Sequence, residues 1–411
     1  MLRFTWWGIA LGATCALVHL MPAPARACGG CFGPTGQPSV VTAHRMAVSL
    51  AADRTTLWDQ FEYAGSPEDF VWVLPVAADQ DVDIALADPS FFDMLAGVTQ
   101  ITLQAPAGAG GGGGGGGIGC GGGDFASAGG GPSDTRVVVY QQGVVGPYET
   151  VVVGGEDGAS LVDWLQERGY AVPEEMIPTI MHYLDQDMAF AALRLSPGED
   201  IQQMQPVRVT TPGLVPAFPL RMVAAGIADD VSLELFVIAE GRYEAQNFPN
   251  ATIDGSEVTY DWASDSFDYD AVADAKLAQN ERRTWLTEYA QDSTYLYPET
   301  YAYTDETGEL RSPGLDWAHA TRGVAQPWIT RMRAVLPVEA LGEDLVLQAS
   351  DGGWIGSQIF VQNDINRPSV APPVIVGPTD AAPWQLPLTA LVLGAILLSG
   401  LARRRLAGAR A

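Results

Sequence analysis

The chain has 411 residues, of which 49 are acidic and 22 basic, for a formal charge of −27. Such a surface repels phosphate backbones and anionic lipid headgroups, which excludes nucleic acid as a partner. The charge is scattered along the chain, as on a solvated acidic surface that binds divalent cations weakly at most.

Residues 1–27 have the layout of a secretory signal peptide. Arg3 gives the positive start, residues 6–21 an uncharged apolar stretch, and Ala25-Arg26-Ala27 an A-x-A cleavage site. Cleavage there makes Cys28 the first mature residue. A lipoprotein reading of Cys28 competes, but Ala25 and Arg26 stand where lipid attachment wants a large aliphatic and a small residue. An uncleaved membrane helix is the other alternative, with an apolar run near the lower limit for a span. The mature chain holds Cys28, Cys31 and Cys120, an odd count in a compartment that permits disulfides. Cys28-Gly-Gly-Cys31 has redox or metal spacing, yet it opens the chain instead of starting a helix, and two glycines offer nothing to tune a thiolate. A Cys28–Cys31 bridge, or Cys31 to Cys120 with Cys28 spare, is the plainer reading. A zinc site would have to draw on His44, His182 or His319.

Residues 28–104 read as the N-terminal β part of the exported domain. Val40–Leu50 alternates as a half-buried strand, and LWDQFEY at 57–63 follows a tight turn, with Leu57, Phe61 and Tyr63 on one face. Phe70–Val76 is a continuous apolar run carrying Trp72, suited to a strand covered on both faces. The short connections predict a three-stranded antiparallel meander. Asp88–Val98 reads as a helix capped by Asp88 with Pro89 at its first position. Asp79, Asp81 and Asp83 have the opening spacing of a calcium loop, but Ile84 and Ser90 replace the glycine and glutamate it needs.

Residues 105–134 form a glycine-rich loop with no lysine to make it a phosphate cradle. Residues 135–365 resume the domain. Thr135–Tyr140 and Tyr148–Val153 predict a hairpin. Ser160–Arg168 predicts a helix capped by Ser160 and closed by Gly169, with Leu161, Trp164 and Leu165 on one face. A second helix is expected over 173–184, and strands over 188–195, 205–211, 219–224 and 231–239. Residues 267–292 have helical spacing through Leu277, Trp285 and Tyr289. Residues 325–336 mix helix and strand, and 344–349 and 355–362 read as closing strands. Residues 366–385 are a Pro-rich stalk.

Residues 386–402, with Leu386 first and Leu401 next to last, carry no charge. Trp384 precedes them and Arg403-Arg404-Arg405 follow, the anchors of a short transmembrane helix. The arginines place tail 403–411 in the cytoplasm and the main domain outside, in the periplasm or on the cell surface; a sorting tail that is later cut away is the variant reading. The fold class expected is α+β: antiparallel β-sheets with several short packed helices, plus this C-terminal membrane helix.

Several segments together resemble a bacterial family of exported proteins known as domain of unknown function 2330: ACGGCF at 27–32, HRM at 44–46, LWDQFEY at 57–63 and PEDFVWVLPV at 67–76. Trp164-Leu165 with Tyr170, Ala189-Phe190-Ala191, FPLR at 218–221, and Trp285 with Glu288-Tyr289 extend it over most of 27–360. The resemblance implies export, a cysteine-bearing mature start and often a C-terminal anchor. No activity comes with it, and no catalytic residue, cofactor or metal ligand can be carried over.

The residues themselves offer no G-x-S-x-G elbow and no H-E-x-x-H. A dispersed Ser-His-Asp triad would use His44 or His319. Trp58, Trp72, Trp164, Trp262, Trp285, Trp317, Trp328 and Trp354 could line a sugar cleft, but at strand and helix spacing they read more simply as core. The expectation is a non-catalytic, membrane-anchored envelope module for binding, adhesion or envelope organisation, with an envelope protein or glycan as partner. The alternative is an exported hydrolase with a dispersed active site, and a thiol-redox protein using Cys28 and Cys31 is a third.

Overall fold

The computed structural model describes residues 30–32, 40–64, 71–78, 82–107, 137–170, 172, 174–199, 204–224 and 230–367. The signal segment, Cys28, Cys120, the glycine tract, the stalk beyond Arg367, Trp384, Leu386, Leu401 and the Arg403–Arg405 run lie outside them. The chain divides into two units, Met1–Asn366 and Arg367–Ala411.

The first unit is α+β and is built on two sheets. One has five strands in the order Gly30–Phe32, Val71–Ala77, Met188–Leu195, Tyr148–Gly155, Val137–Val145, antiparallel throughout. The other has eight, in the order Asn250–Ala251, Trp285–Asp292, Pro327–Leu336, Val231–Glu240, Val40–Ala51, Arg54–Ala64, Val207–Pro212, Asp83–Leu86. Two of its pairings are parallel, and one of them joins Val231–Glu240 to Val40–Ala51 at the centre.

Val40–Ala51 and Arg54–Ala64 pair as expected, but the meander does not continue. Val71–Ala77 leaves for the five-stranded sheet, and the place beside Arg54–Ala64 is taken by Val207–Pro212. The reason is burial. All of Val71–Val76 is buried, so this strand needs cover on both faces, and it finds it between the large sheet and two helices.

Those helices are Gly158–Glu167 and Ile177–Leu184, whose Leu161, Leu165, Ile180 and Tyr183 pack on Val71, Val73, Val153 and Phe190. The opposite face of the five-stranded sheet meets the large sheet through Trp72, Leu74, Val76, Val152, Val207 and Val209. The far face of the large sheet is covered by the helices Ser90–Val98 and Gly314–Thr321, with Trp58, Phe91, Phe236 and Trp317 between the layers. Each such side chain withdrawn from water contributes about 2–3 kcal/mol of transfer free energy.

Local chemistry explains the element ends. Asp157, not Ser160, caps its helix, accepting from the N–H groups of Ala159 and Ser160. Gly169 ends it at φ +81°, and any Cβ there would stand 2.3 Å from Arg194 Nη1. Asp88 accepts from Ser90 N at 2.9 Å, as a cap should.

Two segments differ in type from expectation. Residues 220–223 are a single helical turn, not a strand. The helix Tyr269–Leu277 stops, Asn280, Glu281 and Arg282 take positive φ, and Trp285–Asp292 is a strand with both faces buried through Ala290. A bulge between Thr287 and Tyr289 turns Glu288 into a polar pocket. There Arg333 Nε stands 2.7 Å away and the Tyr269 hydroxyl donates at 3.0 Å. Residues 327–336 are strand throughout.

Candidate functional site: a cavity between the two sheets

The Trp-Asp pair inside LWDQFEY faces two ways. Trp58 points to the helical layer, where its Nε1–H donates to Asp316 at 2.9 Å. Asp59, one residue on, points to the five-stranded sheet and accepts from Trp72 Nε1 at 3.0 Å. Arg208, opposite Trp58 in the neighbouring strand, donates to the same Asp316 oxygen at 3.1 Å, and the Asp88 N–H closes the set on Oδ2 at 2.8 Å. Two of the segments that carry the family resemblance, LWDQFEY and PEDFVWVLPV, thus take part in the ties between layers. All of these side chains are buried.

Where the sheets diverge, beyond these ties, a cavity of about 370 Å³ remains. That is room for about a dozen water-sized groups, within the usual range for small-ligand sites. Its walls are apolar: Val48, Leu57 and Val209 from the large sheet, Leu74 and Val76 from the small one, and Phe218 across the end. The polar lining is concentrated at Tyr183, Gln186, Asp187 and Asp344, with Thr55 and Thr211 on the sheet side. Tyr183 donates to Asp344 Oδ1 at 2.7 Å, and the Arg221 N–H donates to the same oxygen at 3.0 Å. Burial pushes the Tyr183 phenol well above its ordinary range, and the Asp344 charge beside it pushes the same way, so it stays a donor. Asp187 is exposed at the mouth, in a left-handed turn at φ 56°.

The histidines considered from sequence fall elsewhere. His319 lies in the helix Gly314–Thr321, half-buried, and burial first, then the charge of Arg208, lowers its pKa. Its nearest acid, Asp316, already serves Trp58, Arg208 and Asp88. His182 neighbours Gln186 on the helix Ile177–Leu184. His44 lies in the strand Val40–Ala51. No histidine, serine or cysteine is among the described residues lining the cavity. Cys31 stands opposite Trp72 in the edge pairing of the small sheet. Among the described residues no three His, Cys, Asp or Glu side chains are grouped to hold a metal ion. No described helix is long and apolar enough to cross a membrane.

Five of the eight tryptophans considered for a sugar cleft, Trp58, Trp72, Trp164, Trp285 and Trp317, are buried, whereas Trp354 is exposed. Sequence reasoning missed the cavity's polar end, because Tyr183, Asp187 and Asp344 carry no shared motif and 344 is remote from the other two in the chain. The single hint was FPLR at 218–221, which supplies both Phe218 on the wall and the Arg221 N–H on Asp344.

The fold and cavity define a two-sheet α+β body with an open-mouthed, mostly apolar site and a polar end. By sequence the chain belongs to a family described as an uncharacterized protein conserved in bacteria, DUF2330, whose model matches residues 22–332. The match ends inside the strand Pro327–Leu336, and the body continues past it through Leu345–Ala349 and Asn363–Ile365. No curated protein and no solved structure matches the chain.

Proposed function

We propose that this is an exported, membrane-anchored protein of the bacterial cell envelope whose body binds a small, mostly apolar molecule between its two main sheets. The cavity carries the reading: about 370 Å³ of space with mostly apolar walls and one polar end. Among the roles open to an envelope module, it favours capture of a small molecule over adhesion through a flat surface. The sequence of residues 1–27 supports export, and the uncharged run 386–402 followed by Arg403, Arg404 and Arg405 supports anchoring with the body outside the cytoplasm.

Two measurements test it. Fractionation of cells making the full chain should find it in the membrane fraction, with a new N-terminus at Cys28 and the body open to added protease. Cytosolic protein that keeps Met1 and needs no detergent overturns the location. For binding, the full chain in lipid nanodiscs should take up uncharged N-phenyl-1-naphthylamine above the level of empty nanodiscs, and Val209→Phe should abolish that excess. Equal uptake by the two proteins overturns the site.

A further inference from the structure

Every wall of the cavity suits an alkyl or ring body, so selectivity has to come from its polar end. Two carboxylates stand there, Asp344 half-buried and Asp187 exposed at the mouth, and no lysine, arginine or histidine is among the described lining residues. The charge of Arg221 acts on Tyr183, and its backbone N–H is what meets Asp344. The other polar groups are already engaged. Thr55 donates to Gly213 O at 3.0 Å and accepts from Val215 N at 2.8 Å. The Tyr183 proton is given to Asp344. Gln186 donates to the His182 carbonyl at 3.0 Å. Both hydrogen bonds to the Asp344 carboxylate fall on Oδ1, and none from the described residues falls on Oδ2.

We infer that the cavity takes an amphiphile whose head is a cationic amine, seated against Asp344 and Asp187, and that it rejects carboxylate and phosphate heads of the same length. The inference rests on the cavity being a binding site at all. The physical ground is pairing. An ammonium gives three donors to Asp187 and to Asp344 Oδ2, which lack hydrogen-bond partners among the described residues, whereas a carboxylate would bring a third negative charge to a partly desolvated place with no cationic side chain among the described lining residues to receive it. The acidity of the whole chain adds a long-range field of the same sign.

Isothermal titration of the full chain in nanodiscs, with empty nanodiscs subtracted, separates the two layers of this reading. The probes are octylamine, octanol and octanoate. The amine should bind about tenfold tighter than the carboxylate, with the alcohol between them. Asp187→Asn, which keeps a residue tolerant of the left-handed turn, should narrow that ratio while leaving octanol binding unchanged. Val209→Phe should remove binding of all three, with Ala217→Trp at the exposed rim as the substitute if the first variant does not fold. Equal affinities, or a preference for octanoate, overturn the amine assignment and leave the binding site standing. No uptake of any probe, or uptake untouched by the blocking variants, overturns the site itself.

Discussion

Trp58 and Arg208 stand opposite each other on adjacent strands, and both donate to one oxygen, Oδ1 of Asp316. The acceptor lies 258 residues from the tryptophan, in a helix that covers the sheet. Asp316→Ala would leave the buried Arg208 guanidinium facing only the exposed Asp83 at 3.9 Å. Removing one member of a buried ion pair costs about 3–5 kcal/mol. Trp58→Phe puts a smaller ring in a fully buried site and loses one hydrogen bond, about 2–3 kcal/mol together. Urea unfolding should show both losses, and a double-mutant cycle should show them to be non-additive.

Asp157 and Ser160 divide the capping of one helix unequally. Asp157 receives two backbone N–H groups as well as the Ser160 hydroxyl at 2.5 Å, so the serine supports the cap without being it. Asp157→Ala is expected to cost about 1 kcal/mol, and Ser160→Ala less than half of that. Equal losses by chemical denaturation would return the cap to Ser160.

The Asp305 carboxyl is held down at about 2, by the Thr307 hydroxyl above all and further by Glu309 N–H, Arg311 and Thr307 N–H. A depressed carboxyl contributes stability that is complete above its unfolded value of about 3.9. That contribution fades as pH falls toward 2. The protection of amides in residues 305–311, taken against their intrinsic exchange rates, should therefore fall between pH 4 and 2 in the native chain, on the window those two values set. Asp305→Asn should lose most of that pH dependence, and an unchanged profile would discount the carboxylate.

The division between Asn366 and Arg367 predicts a clean truncation. A chain ending at Arg367 should keep the melting temperature of the full chain within about 2 °C, since the strand Asn363–Ile365 that closes its small sheet is retained. It should also leave the membrane fraction. A large fall in melting temperature would mean that residues beyond 367 contribute to the body.

Element type was readable where pattern and length agreed. Met188–Leu195 and Val231–Glu240 are long runs of β-formers and fall where expected. Pairing was less readable, because a six-residue link between Ala64 and Val71 serves a hairpin and a corner between sheets equally well. The spacing of Leu277, Trp285 and Tyr289 mimicked a helix, yet Trp285–Ala290 is buried on both faces, which a strand at the middle of a layered fold satisfies. Residues 220–223 are too short for periodicity to decide. The cavity was not legible, since its walls come from strands far apart in sequence and its polar end joins residues that no local pattern links.

The parallel pair at the heart of the large sheet fixes an order of events. Arg45 through Ser49 have no neighbour on one side until Glu234 through Ile238 exist, so nearly three fifths of the polypeptide must be synthesised before that seam can close. Until then the early hairpin offers an open, unzipped margin, and closure is slow because the loop to be shut is long.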